Sequence, residues 1–139
     1  MKQLLTFFLV VTAVCHTLSA QQKDLKVRVL NIDKLKGNLM IAVYDSKETF
    51  TTDQVVAATK VEVTDHTHEV AFDNIAFGEY AVILYHDLNS DGELDTNFMG
   101  IPSEPYGFST GSGFLGIPSY NKSRFTFDQS LDMIEIKLN

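Results

Sequence analysis

The side chains best suited to chemistry lie in one short segment, residues 87–95. Oxygen-bearing side chains recur there at every second position, at Asp87, Asn89 and Asp91, and Gly92 then permits a sharp bend. Asp95 adds a further carboxylate, and the backbone carbonyl near Glu93 adds one more oxygen. A hard cation such as Ca²⁺ takes about 6–8 oxygen ligands. The pattern therefore predicts a calcium site formed by Asp87, Asn89, Asp91, Glu93 and Asp95.

The segment departs from the EF-hand loop in one respect. The twelfth position, counted from Asp87, is Phe98, where an EF-hand requires a bidentate glutamate. Asn97 or Glu104 is the candidate for the missing ligand. The alternative to a metal site is a solvated turn, because Asp, Asn and Gly favour turns in any case.

A second candidate site lies in the glycine-, proline- and aromatic-rich segment 100–109. Tyr106 and Phe108 are suited to stacking on a sugar ring or an apolar group, with Glu104 fixing the polarity of the ligand. The competing and favoured interpretation buries both rings beneath the loop as anchors, because a buried aromatic ring contributes much apolar area.

Catalytic patterns in the chain are weaker. Gly107–Gly111 matches G-x-S-x-G around Ser109, but that motif requires a strand–turn–helix elbow, and residues 112–118 are unsuited to a helix. Asp95 with Glu104 is a candidate carboxylate pair for a small periplasmic glycan hydrolase, a mechanism that depends on the separation of the two groups. This hydrolase is the alternative to a non-catalytic binding or structural module.

The elements that must position these residues are strands. Apolar residues alternate with polar ones along most of the chain after residue 24, a pattern typical of half-buried strands. The predicted strands are 25–30, 38–45, 60–64, 69–72, 79–86, 123–127 and 133–138. The strand 79–86 is apolar on both faces, which indicates a central position. We expect 60–64 and 69–72 to form a hairpin, and 87–121 to be one long ordered loop.

About seven short strands without a long helix predict an all-β, antiparallel two-sheet β-sandwich. Between the second and third strands, Ser46 is placed to cap one helical turn, and Phe50 to pin that turn to the core. Residues 21–139 have the size of a single domain.

The first twenty residues are typical of a cleaved signal peptide. Lys2 provides the positive start, Leu4–Cys15 is largely apolar, and Ala20 ends a small-residue cleavage signal. The sequence therefore predicts an exported protein, periplasmic or extracellular, with no membrane insertion after cleavage. Cys15 is the only cysteine, so the mature chain has neither a disulfide nor a thiol.

The charge of the chain restricts its partners. Loss of Lys2 with the signal peptide changes the formal net charge from −7 to −8. An acidic chain is repelled by nucleic acid and by anionic membranes, since both are polyanions. The expected partners are cations, a protein, a glycan or a small ligand.

Three motifs together carry a family resemblance. They are Phe72-x-x-Ile75-x-x-Gly78-x-Tyr80, His86-Asp87-x-Asn89-x-Asp91-Gly92-x-x-Asp95, and Gly100-Ile101-Pro102-x-Glu104-Pro105-Tyr106-Gly107-Phe108-Ser109. Over about residues 25–139 the chain resembles the bacterial domain-of-unknown-function family twenty-one forty-one. The resemblance implies an exported β-sandwich of transthyretin-like or immunoglobulin-like character without an established activity. Asp91 stands where that family often has Asn, which makes this loop more acidic.

Overall fold

The computed structural model describes residues 21–110 and 116–139, so the predicted signal peptide and the last glycine of the G-x-S-x-G match lie outside the described residues. Eight strands and two short helices follow one another along the described chain. In order they are β1 Gln22–Leu30, β2 Asn38–Tyr44, α1 Lys47–Thr51, β3 Ala57–Glu62, β4 His68–Ala76, β5 Gly78–Asp87, β6 Tyr106–Phe108, α2 Tyr120–Ser123, β7 Phe125–Phe127 and β8 Met133–Lys137. Among these residues no helix is long and apolar enough to cross a membrane.

The strands form the two sheets of a β-sandwich, as the sequence predicts. The first sheet has the order β4-β1-β8, and the second has the order β3-β2-β5-β6 with β7 paired to β5. Most neighbours are antiparallel, but β8 runs parallel to β1. Alternate residues of both sheets meet in one apolar core, in which Leu25, Leu84 and Phe127 are among the fully buried side chains. The prediction that residues 79–86 form a central strand is confirmed, because β5 has β2 on one side and β6 on the other.

The predicted hairpin between residues 60–64 and 69–72 is wrong. β3 pairs with β2 in one sheet, whereas β4 pairs with β1 in the other. The polar segment between them is therefore a corner that connects the sheets. His68 Nε2 accepts from the backbone N–H groups of Thr64 and Asp65 at 3.1 and 3.2 Å, and this imidazole stabilises the corner. Local alternation identifies a strand but not its partner, since many pairings bury the same face.

Two further boundaries differ from the sequence prediction. The predicted strand 69–72 is longer, because β4 runs from His68 to Ala76, with Asn74 at a φ of 55°. The predicted loop 87–121 contains β6 and the start of α2. β6 is only three residues long, and such a short strand leaves too little alternation to be recognised.

The helical turn after β2 forms as predicted. Ser46 caps α1, and its side-chain oxygen accepts from the backbone N–H of Thr49 at 3.2 Å. Phe50 packs edge-on against Tyr44 and Tyr120, with ring centroids 5.2 and 6.1 Å apart. These rings form a second, smaller apolar cluster on the outer face of the β3-β2-β5-β6 sheet, so Phe50 pins the turn to this cluster and not, as predicted, to the main core.

The outer faces of the two sheets differ in polarity. On the β4-β1-β8 sheet, Arg28 forms ion pairs with Glu69 and Glu135, one on each neighbouring strand. On the other sheet, the outward residues of β2 and β5 are mainly apolar. They are Met40, Ala42, Tyr44, Ala81, Ile83 and Tyr85. The aromatic cluster covers the α1–α2 end of this face, and Tyr106 and Phe108 of β6 are buried on it. An open groove remains over Met40, Ile83 and Tyr85.

Candidate functional site

The candidate site begins where the central strand β5 ends. His86 lies on the core side of β5, only 1% exposed, and its Nε2–H donates to the carbonyl of Lys36 at 2.6 Å. His86 is thus a buried histidine whose Nε2–H is satisfied by a backbone carbonyl. Asp87 follows on the opposite side of the strand and is also fully buried, because the chain folds back over it.

The carboxylate of Asp87 is only partly satisfied. Its Oδ2 accepts from the backbone N–H of Gly92 at 3.0 Å, which closes residues 87–92 into a ring. Its Oδ1 is buried and has no hydrogen-bond partner among the described residues. Nearly all buried polar side-chain atoms in folded proteins have a partner, so this oxygen requires an explanation.

The other predicted metal ligands form a closed hydrogen-bond network beside Asp87. The amide Nδ2 of Asn89 donates to Asp91 Oδ2 and to Asp95 Oδ2, each at 3.0 Å. The NH₂ group of Asn89 therefore lies between the carboxylates of Asp91 and Asp95. Asp91 Oδ1 also accepts from the backbone N–H of Glu93, whose side chain is exposed. No three acidic or histidine side chains among the described residues are close enough to hold a metal ion in this arrangement.

Glu104 holds both ends of the acidic loop. It is 6% exposed, and its Oε1 accepts from the backbone N–H of Leu88 at 2.8 Å while its Oε2 accepts from that of Asp95 at 3.1 Å. Both carboxylate oxygens are thus engaged with the backbone, so Glu104 is not positioned as a general acid or base beside Asp95. Its placement fits a positioning role for the loop.

Tyr85 connects the acidic loop to the outer face of the sheet. Its hydroxyl donates to the carbonyl of Gly92 at 2.9 Å. Burial raises the pKa of Tyr85, and the negative charges of Asp87 and Glu104 raise it further. The hydroxyl therefore stays protonated and keeps this hydrogen bond. The sequence did not single out Tyr85, although the apolar character of both faces of β5 indicated a central strand.

Tyr106 and Phe108 lie on the outer face of the β3-β2-β5-β6 sheet, where they pair with Tyr85 and Ile83. Both are buried, and their rings are 5.6 Å apart in a tilted arrangement. The Tyr106 hydroxyl accepts from the backbone N–H of Gly116 at 3.1 Å. This placement fits anchoring of the long loop, the favoured interpretation, and leaves neither ring face open for stacking on a ligand. Ser109 is engaged as well, since its Oγ accepts from Val82 N–H and donates to the Ser123 carbonyl.

An apolar groove of about 670 Å³ lies beside the acidic loop. Its floor is the open part of the outer sheet face, with Met40, Ile83 and Tyr85, and one wall is Gly92–Leu94. The volume is in the range of pockets that hold small ligands. The sequence indicated that both faces of β5 are apolar, but the groove also depends on loops that are distant in the sequence.

Fold and site together describe a two-sheet β-sandwich with an acidic loop at the exit of its central strand. The family model of the uncharacterised proteins conserved in bacteria, DUF2141, matches residues 27–135. The chain belongs to that family. No curated protein and no solved structure matches the chain.

Proposed function

We propose that this chain is an exported, non-catalytic binding module whose acidic loop, residues 87–95, binds Ca²⁺. The observation that carries the proposal is the buried Asp87 Oδ1, which has no hydrogen-bond partner among the described residues. Burial of a carboxylate without compensation costs several kcal/mol. A cation held against this oxygen removes that cost.

The acidic loop contains the oxygen ligands that such a site needs. Asp87, Asp91 and Asp95 supply carboxylates, Asn89 supplies an amide oxygen, and the Glu93 carbonyl with water completes the shell. In the structure the Asn89 amide donates to both exposed carboxylates, Asp91 and Asp95. Ca²⁺ would be held by the carboxylates of Asp87, Asp91 and Asp95, which requires Asp91 and Asp95 to turn toward Asp87. A site that must rearrange in this way is expected to be weak, with a Kd of about 0.1–1 mM as in extracellular calcium modules.

The role of the ion follows from what the loop contacts. Residues 92–94 form one wall of the apolar groove, and Tyr85 joins that wall to the groove floor. An ion that orders the loop therefore fixes the shape of the groove, where a protein, a glycan or a small ligand is bound.

Calcium is expected to raise the melting temperature. At about 10 mM calcium, 10 to 100 times the expected Kd, mass action adds about 1.4–2.7 kcal/mol, because the ion binds only the folded loop. For a domain of this size that corresponds to a rise of about 5–10 °C, measured against a chelator by scanning calorimetry or circular dichroism.

Asp87→Asn distinguishes this site from general charge screening. The substitution removes the buried unpaired charge, so the variant should be at least as stable as the wild type in chelator, yet its melting point should no longer respond to calcium. Asp73→Asn makes the same charge change at an exposed position of β4 and should keep the full response. Equal calcium responses in the wild type and in Asp87→Asn would refute the site.

A further inference from the structure

A turn that follows the acidic loop displays apolar side chains to solvent. Phe98 is 97% exposed and Met99 is 63% exposed. From Thr96 to Ser103 the sequence contains no charged residue. We refer to residues 97–101 as the apolar tip. Large apolar side chains exposed together usually mark an interaction surface.

The tip has a defined backbone. Thr96 pairs with Pro102 in a β-bridge, and the N–H of Asn97 donates to the carbonyl of Ile101 at 2.8 Å. Asn97 Oδ1 accepts from the N–H groups of Met99 and Ile101 at 2.9 and 3.1 Å. These bonds fix the tip before any partner arrives, which lowers the entropy cost of binding.

The apolar groove is the complementary surface on the same chain. Its floor includes Met40 and Ile83, and its wall includes Leu94. Phe98, four residues beyond Leu94, does not occupy this groove, because almost all of its surface is exposed. The groove has room for an aromatic and a thioether side chain together.

We propose that the apolar tip of one copy docks in the apolar groove of a second copy. The tip, residues 97–101, follows closely after the groove wall, Gly92–Leu94. Two copies related by a two-fold axis can therefore exchange tips reciprocally, as in an isologous dimer. The charges agree with this arrangement. Asp95 lies at the base of the tip, and Lys60, which lines the groove, forms no ion pair among the described residues.

This association goes beyond the proposed calcium site, with which it shares Asp95 and the groove wall at Gly92–Leu94. Two copies of this acidic chain, with a formal net charge of −7, repel one another, so the measurement belongs at physiological ionic strength, where exposed charges are screened beyond about 8 Å. Running it both in chelator and in calcium separates failure of the dimer from failure of the calcium site.

Sedimentation equilibrium from about 1 µM to about 1 mM protein tests the proposal. The wild-type mass should rise with concentration from one chain toward two. Phe98→Ser removes two buried rings from each dimer and should weaken dimerisation about 100-fold or more. Leu35→Ser, which removes an exposed apolar side chain from a different loop, should leave the dimerisation constant unchanged.

Two variants that each replace an exposed alanine by glutamate test the groove. Ala58→Glu places a carboxylate in the groove on β3 and should abolish dimerisation. Ala71→Glu places the same charge at an exposed position of β4 on the other sheet and should not. A wild type that stays monomeric throughout, a dimer that survives Phe98→Ser, or equal loss in both glutamate variants overturns the proposal. A mass that rises beyond two chains also overturns the reciprocal arrangement.

Discussion

Glu104→Ala is expected to lower the free energy of unfolding by about 3–5 kcal/mol. The side chain is buried and accepts one backbone hydrogen bond from Leu88 and one from Asp95. Hydrogen bonds to charged groups contribute about 1.5–3 kcal/mol each, and their loss leaves both amides without this acceptor. The result is measured by urea denaturation, with an unchanged m-value indicating that the folded state is otherwise the same.

Glu93→Ala is the matched control for that loss. Glu93 belongs to the same acidic loop but its side chain is exposed, so its replacement should change stability by no more than about 0.5 kcal/mol. The loss of stability in Glu104→Gln should lie between those of Glu104→Ala and Glu93→Ala. The amide retains one acceptor oxygen but presents an NH₂ donor to the second backbone N–H. If Glu104→Ala and Glu93→Ala are equally mild, Glu104 does not hold the loop.

The second large effect is expected at Gly37. This residue has a φ of +72°, and a Cβ there would overlap the carbonyl oxygen of Asp87 and lie 3.0 Å from Leu88 Cα. The left-handed backbone costs a substituted alanine about 1–2 kcal/mol, and the clash adds about 1–3 kcal/mol. Gly37→Ala should therefore destabilise the fold by about 2–5 kcal/mol in thermal or urea unfolding.

Gly100→Ala separates the two contributions. Gly100 has a φ of +75°, almost the same as Gly37, but no heavy atom lies within 4 Å of the position that an alanine Cβ would take there. Gly100→Ala should therefore destabilise the fold only by the cost of the left-handed backbone, about 1–2 kcal/mol. Equal losses at the two glycines would mean that Gly37 does not pack tightly against the exit of β5.

The sequence predicted the parts of this fold that depend on local periodicity. Alternation along β1, β2 and β5 identified those strands, and the two apolar faces of β5 identified its central place. Ser46 was predicted correctly because a cap and its helix are close in sequence. Phe50 anchors the turn as predicted, but to the aromatic cluster on the outer sheet face and not to the main core. The corner at His68 was predicted as a hairpin, since alternation carries no information on which sheet a strand joins.

The candidate site was predictable in composition but not in architecture. The spacing of Asp87, Asn89, Asp91 and Asp95 marked the acidic loop, yet its hydrogen bonds to Glu104 join residues 9 and 16 positions apart. The contact between Gly37 and Asp87 spans about fifty residues, so the sequence shows only a glycine that opens a strand. The buried state of Asp87 depends on how the loop folds back over it, which no local pattern encodes.

A calorimetric calcium titration tests the central claim most directly. The wild-type protein should bind one Ca²⁺ with a Kd of about 0.1–1 mM, and Asp87→Asn should show no binding heat above dilution while Asp73→Asn titrates like the wild type. Absence of binding by the wild type, or binding by Asp87→Asn with unchanged affinity and stoichiometry, would contradict the assignment of calcium to the loop that begins at Asp87.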